Sequence, residues 1–234
     1  MDLAGKKALV FGGTSGIGLS AVEMLRDGGA EVVAVSRDPS KAGDISGVSL
    51  VACDVRDQAA LSELFAAHAP FDILINAATG GSRAAGPFLQ MDLAAYQGSF
   101  DKLWGYTNVV RLGAEHLSEQ GAIVLVSGAP ARKAKPGQAA LASVGGAVEQ
   151  FVRAVAPELA PRRINVVSPG VIDTPMFGPD ADARAKMLGG ATKNNLIPRA
   201  GTPAEVARGI LFMIENDFVT GTTIDVDGGW LLGG

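Results

Sequence analysis

Residues 7–18 read KALVFGGTSGIG, and the rest of the chain can be interpreted outward from them. An apolar run at 8–11 has the length of a buried strand, and an amphipathic run at 17–25 follows the glycines. Glycine lets a turn adopt positive φ and lets backbone N–H groups approach phosphate oxygens, while a helix N-terminus adds favourable partial charge. The order strand, glycine turn, helix therefore predicts a pyrophosphate-binding turn.

The composition of the 234-residue chain favours one domain, which we expect to span residues 1–234. Hydrophobic residues make up 47% of the chain and aromatic residues only 6%, which is typical of the aliphatic core around a parallel sheet. The formal net charge of −4 gives no reason to expect a nucleic acid or a membrane as a partner.

The metal-binding residue types are too few for a structural zinc site. The sequence has 1 cysteine and 2 histidines, without a Cys/His cluster, so we expect no metal. The N-terminal residues contain no apolar run long enough for a signal peptide or a membrane span, so we expect a cytoplasmic location.

Apolar runs of strand length alternate with helical patterns along the whole chain. This alternation predicts an α/β fold: a single doubly wound, Rossmann-like domain with a seven-stranded parallel sheet and helices on both faces. We expect one long helix over 92–117, the fifth strand over 122–126, a second long helix over 138–159 and an irregular segment over 178–201. Ligands of such sheets bind at the carboxyl ends of the strands.

The second strand, 31–35, ends in Ser36-Arg37. An acidic residue at this place usually binds the ribose 2′-hydroxyl of NAD, whereas an Arg accommodates the 2′-phosphate of NADP. Because no carboxylate stands at 35 or 36 and Arg37 follows directly, we predict NADP(H) as the cofactor. The alternative is that Arg37 is a solvated surface side chain beside Asp38.

The glycine spacing Gly12-x3-Gly16-x-Gly18 resembles the cofactor loop of the short-chain dehydrogenase/reductase family, usually written TGxxxGIG, with Phe11 in place of the Thr. The resemblance continues to the C-terminus, through a segment similar to NNAG at 76–79 and a segment matching PGxxxT at 169–174.

This resemblance assigns cofactor contacts to the strand ends. Asp54 is expected to receive the adenine amino group, although an Asp there could instead cap the next helix, and Thr174 is expected to hold the nicotinamide carboxamide. The cofactor-binding residues expected from the sequence are Gly12, Thr14, Ser15, Gly16, Ile17, Gly18, Ser36, Arg37, Asp54, Val55, Asn76, Ala77, Pro169, Gly170, Ile172 and Thr174. The family also implies a small-molecule substrate and a homodimer or homotetramer that pairs the two long helices.

The resemblance fails at the catalytic centre. Members of the family usually use an Asn, a Ser and a Tyr-x3-Lys pair, in which the Tyr is the general acid and base. The flanking residues place these four positions on Lys102, Gly128, Leu141 and Gly145, respectively. The usual acid/base step contributes about 10²- to 10⁴-fold in rate, and neither leucine nor glycine supplies a proton for it.

Three functions remain compatible with this sequence. The first is an NADP(H)-dependent oxidoreductase of small carbonyl compounds or alcohols with a non-standard active site. The second is a non-enzymatic NADP(H)-binding or sensor protein, and the third is a lyase or isomerase that uses the same pocket without redox chemistry. We favour the first, because cofactor-binding features are present at both the adenosine and the nicotinamide ends of the dinucleotide, although a sensor would retain these features too.

Lys102 is the catalytic residue that we predict for the oxidoreductase. The loss of a Lys from 145 is expected to open a volume that the Lys102 side chain enters from the opposite helix, close to the nicotinamide ribose. The alternative is a surface Lys beside Asp101. Ser127 is expected to project away from the pocket because neighbouring strand residues point to opposite faces. The basic loop Arg132 to Lys135 is expected to be a solvated turn. The alternative is that it overhangs the pocket, which would favour an anionic substrate.

Overall fold

The computed structural model describes residues 1–79, 81 and 83–233, and a seven-stranded sheet forms its centre. The predicted domain also includes Gly80, Ser82 and Gly234, which lie outside the described residues. Neighbouring strands are parallel and follow the order β3-β2-β1-β4-β5-β6-β7. The strands are β1 (Lys7–Phe11), β2 (Glu31–Ser36), β3 (Val48–Ala52), β4 (Phe71–Asn76), β5 (Leu117–Val126), β6 (Arg163–Pro169) and β7 (Thr223–Val226).

Helices connect the strands and cover both faces of the sheet. They are α1 (Gly16–Asp27), α2 (Gln58–His68), α3 (Leu93–Gly98), α4 (Asp101–Gly113), α5 (Ala139–Leu159), α6 (Ala181–Thr192) and α7 (Pro203–Glu215). Asp57 caps α2 by accepting the N–H groups of Ala59 and Ala60, and Thr202 and Glu205 form a capping box at α7. None of the helices in the described part of the chain is both long enough and apolar enough to cross a membrane.

The two faces of the sheet support separate hydrophobic cores, and the alternation along β1 shows why. Leu9 and Phe11 enter the core beneath α2, α4 and α5, whereas Ala8 and Val10 enter the core beneath α1 and α7. Successive strand residues point to opposite faces, so a continuous apolar run supplies both cores. The predicted doubly wound sheet with helices on both faces is confirmed.

The glycine turn after β1 is a place of close backbone approach. Gly12 has a φ of +76°, and a Cβ on it would lie 2.8 Å from the backbone nitrogen of Ala78 in the turn after β4. A Cβ on Gly18 would lie 2.1 Å from the carbonyl oxygen of Gly12. Side chains at these positions would therefore separate α1, β1 and the β4 turn.

The expected single helix over 92–117 is wrong, because α3 and α4 are separated at Ser99. The Ser99 hydroxyl donates to the Ala95 carbonyl and accepts the N–H of Ala84, so it joins the junction to an incoming loop. Such a side chain competes with the helical hydrogen-bond pattern. The fifth strand also begins earlier than expected, since Leu117 already pairs with Phe71.

The expected irregular segment over 178–201 is wrong as well, because it contains α6. Asp180 caps this helix by accepting the N–H of Ala183. Only Leu188 and Thr192 of α6 are buried, so the helix lacks the apolar stripe that would have identified it in the sequence.

Candidate active site

A cleft of about 1140 Å³ opens at the carboxyl ends of the central strands, and it is large for a ligand site. All of the predicted cofactor-binding residues except Asn76 line it. Asn76 is fully buried behind the wall, and its side-chain oxygen accepts the N–H of Ala78 at 3.0 Å. Asn76 therefore shapes the turn after β4 instead of facing the cleft.

The end of the cleft beside β2 is polar and basic. Ser36 has a buried hydroxyl that finds no partner in the described part of the chain, and Arg37 and Lys41 line the cleft next to it. Asp38 pairs with Lys41 at 3.1 Å and accepts the Ser40 hydroxyl. The partners of Asp38 are thus Lys41 and Ser40. Arg37 does not pair with Asp38, and it lines the cleft.

Asp54 lines the same end of the cleft as an ion-paired carboxylate. Both of its oxygens accept hydrogen bonds from the Arg56 guanidinium, and this contact holds the pKa of Asp54 below its usual value. Arg56 also reaches Asp101 at 3.0 Å. Because Asp57 caps α2, Asp54 is free of the capping role that the sequence had left open.

The segment after β6 forms the opposite end of the cleft. A Cβ on Gly170 would lie 2.7 Å from the Cα of Asp227, so the chain passes closely beside the segment that follows β7. Thr174 is buried, and its methyl carbon would lie 3.4 Å from a Cβ on Gly16. The Thr174 side chain is thereby held directly against the glycine turn.

The structure brings the expected catalytic positions into this cleft. Gly128 follows β5, Leu141 and Gly145 lie on α5, Lys102 lies on α4, and all of them line the cleft. Lys102, Tyr106 and Arg83 are the ionisable residues that line the cleft around these positions in the described part of the chain.

The Lys102 side chain points into the cleft instead of outward beside Asp101. Its ammonium donates to the carbonyl oxygen of Ser127 at 3.2 Å and lies 5.4 Å from the centre of the Tyr106 ring. Burial, with a smaller contribution from the charge of Arg83, lowers the pKa of Lys102 to about 7. Asp101 does not offset this effect, since its carboxylate pairs with Arg56.

Tyr106 and Ser127 have hydroxyl groups close by, but both are engaged elsewhere. The buried Tyr106 hydroxyl donates to the Val126 carbonyl at 2.9 Å, and burial raises the pKa of this phenol. The Ser127 hydroxyl donates at 2.9 Å to Glu149, a buried carboxylate on α5. Lys102 is therefore the group in this part of the cleft that is suited to proton transfer near neutral pH.

Comparisons with known proteins agree with this geometry. A family model described as enoyl-(acyl carrier protein) reductase matches residues 12–231. L-xylulose reductase from Bos taurus is 33% identical over an alignment of 243 residues including gaps, which covers 99% of this chain and 98% of that protein. A solved short-chain dehydrogenase/reductase family protein is 32% identical, covers 98% of both chains and superposes with a TM-score of 0.84. The chain belongs to the short-chain dehydrogenase/reductase family.

Two other solved relatives contain a nucleotide. One is a small-chain dehydrogenase in complex with NADPH, with 30% identity, a TM-score of 0.83 and coverage of 98% of this chain and 100% of that one. The other is BdcA in complex with NADPH, with 27% identity, a TM-score of 0.84 and coverage of 97% and 94%.

The sequence predicts that Gly145 stands at the position of the Lys of the short-chain dehydrogenase/reductase family, and Gly145 lines the cleft while packing closely against a neighbouring turn. A Cβ on Gly145 would lie 2.9 Å from the Cβ of Ala131, in the short helical turn Ala129–Ala131 after β5. One side of Gly145 is therefore occupied by this turn, and the Lys102 ammonium lies against the backbone at the end of β5.

The basic loop after β5 is largely exposed, as expected for a solvated turn, but its cations also bind within the chain. Arg132 pairs with Asp225 and lies 3.4 Å from Glu149. Lys133 donates to the carbonyls of Leu231 and Gly233, and the Lys135 ammonium lies 3.8 Å above the Trp230 ring. These contacts fix the C-terminal segment, so that Trp230 lines the cleft.

Several cleft residues had no signal in the sequence that would have identified them. Arg83 lies in a glycine-containing loop, and Trp230 reaches the cleft only through contacts with residues almost a hundred positions earlier. Five further cleft residues without such a signal come from the segment that includes α6: Met176, Phe177, Met187, Leu188 and Ala191.

The contact between α5 and the turn after β5 leads to a prediction about stability. We expect Gly145→Ala to lower the free energy of unfolding by about 1–3 kcal/mol, because the added methyl group displaces Ala131. Gly146→Ala is the matched control, since a Cβ there would lie 3.9 Å from the Ala131 carbonyl oxygen. Urea unfolding should find this control unchanged or stabilised by up to about 1 kcal/mol. Equal stability of the two variants would contradict the packing described here.

Proposed function

We propose that this protein is an NADP(H)-dependent oxidoreductase of small carbonyl compounds or alcohols in which Lys102 is the proton donor and acceptor. The observation that carries the proposal is the position of the Lys102 ammonium inside the cleft, with a pKa of about 7. A group that titrates near the working pH is suited to both directions of proton transfer. The centre is non-standard for the family, because Leu141 and Gly145 replace its Tyr and Lys.

The cleft contains residues suited to the pyrophosphate and the 2′-phosphate of the dinucleotide. The glycine turn lets a pyrophosphate approach the backbone at the N-terminus of α1. The backbone is closely packed there, since a Cβ on Gly12 would lie 2.8 Å from the backbone nitrogen of Ala78. The buried, unpartnered Ser36 hydroxyl and the Arg37 guanidinium fit the 2′-phosphate. The similarity to solved NADPH complexes supports the same cofactor.

Bound NADPH supplies the hydride that a carbonyl carbon receives. Lys102 contributes the proton: its ammonium donates a hydrogen bond to the carbonyl oxygen and transfers a proton as negative charge develops there. The oxygen becomes a hydroxyl group, and Lys102 is left as a neutral amine that solvent protonates again. The Ser127 carbonyl keeps the Lys102 side chain directed into the cleft throughout.

The assembly that we propose is a homodimer or homotetramer formed through α4 and α5. Trp104 supports this proposal, because this large apolar side chain on α4 is 61% exposed in the single chain. Burial of Trp104 against a second copy would remove its apolar surface from water.

Arg37 provides the test of cofactor specificity. We expect Arg37→Ala to weaken NADPH binding by about 10- to 100-fold, because charge-assisted hydrogen bonds to the 2′-phosphate are lost, and to leave NADH binding nearly unchanged. Isothermal titration calorimetry with both nucleotides measures the difference. The control is Arg208→Ala, which removes an exposed cation from α7 outside the cleft. Equal affinity of the unsubstituted protein for NADPH and NADH would exclude the proposed specificity.

Lys102 provides the test of the mechanism. We expect Lys102→Met to lower kcat for carbonyl reduction by about 10²- to 10⁴-fold. Lys102→Arg should be almost as impaired, since a guanidinium keeps the positive charge but does not release its proton near neutral pH. Because the ammonium fraction falls as pH rises through about 7, reduction by the unsubstituted enzyme should slow above that pH, and oxidation of an alcohol should accelerate.

The assay follows NADPH oxidation with a panel of neutral ketones, aldehydes and keto acids, and Lys186→Met on the exposed face of α6 serves as the control. Full activity of Lys102→Met would show that another group donates the proton. Tight NADPH binding without oxidation by any compound would favour the non-enzymatic NADP(H)-binding protein instead.

A further inference from the structure

Two cations share the part of the cleft that surrounds the expected catalytic positions. Arg83 and Lys102 both line it. The carboxylates that line the described part of the cleft are Asp38 and Asp54, which lie at the opposite, adenosine end. Each of those carboxylates already pairs with a neighbouring cation. The inner part of the cleft therefore has a positive charge that the chain itself does not neutralise.

The backbone next to Arg83 is fixed on two sides. The N–H of Ala84, a buried residue, donates to the Ser99 hydroxyl at 2.9 Å, at the α3–α4 junction one turn before Lys102. The N–H of Gly86 donates to the carbonyl of Gly137, just before α5, at 3.0 Å. Arg83 is thus held at the same junction that positions Lys102, and the break between α3 and α4 is what permits the first contact.

Arg83 is exposed at the cleft and lies in the chain next to Ala84, which contacts Ser99 one helical turn before Lys102. The charge of Arg83 is the second cause, after burial, of the low pKa of Lys102. Arg83 forms no ion pair with any carboxylate in the described part of the chain. Two unpaired cations in a partly desolvated cleft repel each other, and an anion bound between them would remove this cost.

We propose that Arg83 binds a carboxylate group of the substrate, which leaves Lys102 free for the carbonyl oxygen. This inference rests on the proposed function and adds the class of substrate to it. A guanidinium presents two parallel N–H donors that match the two oxygens of a carboxylate, whereas an ammonium acts as a point charge. The division of roles between the two side chains follows from this difference.

The rest of the cleft wall indicates the remainder of the substrate. Beyond the glycine turn, much of the cleft wall is apolar and comes from α5, the α6 segment and the C-terminus: Leu141, Val144, Met176, Phe177, Met187 and Trp230. A hydrocarbon or aromatic body would gain from burial against these side chains, whereas the polar groups of a sugar would lose hydration beside them. The substrate class is therefore a carbonyl compound that carries a carboxylate on an apolar body.

Calorimetric titration with phenylacetate and phenylacetamide tests this inference, because the two compounds differ in charge and share an aromatic body. We expect phenylacetate to bind the unsubstituted protein at least about tenfold more tightly than phenylacetamide does. One charge-assisted hydrogen bond in a solvent-open cleft contributes about this much affinity. Arg83→Gln should reduce this preference to less than about threefold. Arg208→Gln, which removes the same charge from the exposed face of α7, should keep the preference.

The titrations are made with and without saturating NADP⁺, so the result depends neither on turnover nor on the cofactor. Equal affinity for the two compounds, an unchanged preference in Arg83→Gln, or binding of neither compound would overturn the inference. None of these results would affect the proposed function if the protein still reduces neutral carbonyl compounds with NADPH. Conversely, a preference that depends on Arg83 would stand even if Lys102→Met kept full activity.

Discussion

The absence of a side chain at Gly18 is the constraint on which the cleft depends. A Cβ there would lie 2.1 Å from the carbonyl oxygen of Gly12, and a Cβ on Gly12 would lie 2.8 Å from the backbone of Ala78. Three segments meet at this point: the end of β1, the first turn of α1 and the turn after β4. Only because they touch backbone to backbone does the N-terminus of α1 lie at the floor of the cleft, where an anion is stabilised. The segment after β6 then closes against the same turn through Thr174.

Much of the fold could be predicted from the sequence, because each buried strand is a continuous apolar run and the glycine spacing is specific. The NADP(H) site could also be predicted from the sequence, because its residues follow the ends of the predicted strands in chain order. The failures have a common cause in long-range contacts. The helix over 92–117 is interrupted because Ser99 binds Ala84, which the periodicity of the helix does not encode. Helix α6 buries too few residues to show a pattern, and Trp230 reaches the cleft through Lys133 and Lys135.

The position of Lys102 depends on a chain of polar contacts behind the sheet end. Arg132 and the Ser127 hydroxyl both bind the buried carboxylate of Glu149, and Arg132 continues to Asp225 on β7. A buried carboxylate is tolerated only with such partners. These contacts commit the Ser127 side chain to α5, while its carbonyl oxygen remains available to the Lys102 ammonium. The expectation that Ser127 projects away was therefore sound for its hydroxyl, but it did not anticipate the use of the backbone carbonyl.

The unpaired charges near Lys102 link substrate binding to proton transfer. A carboxylate from the chain beside Lys102 would favour the charged form and return its pKa towards the ordinary value, which would make it a weak acid at neutral pH. Burial and Arg83 instead lower the pKa of Lys102 to about 7. At neutral pH a fraction of the protein molecules therefore carries Lys102 as a neutral amine. A substrate carboxylate bound to Arg83 would offset the repulsion and raise the protonated fraction of Lys102 at the moment when a carbonyl oxygen arrives. A neutral compound of the same shape would lack this effect, so Arg83 would favour anionic substrates in the proton-transfer step as well as in binding.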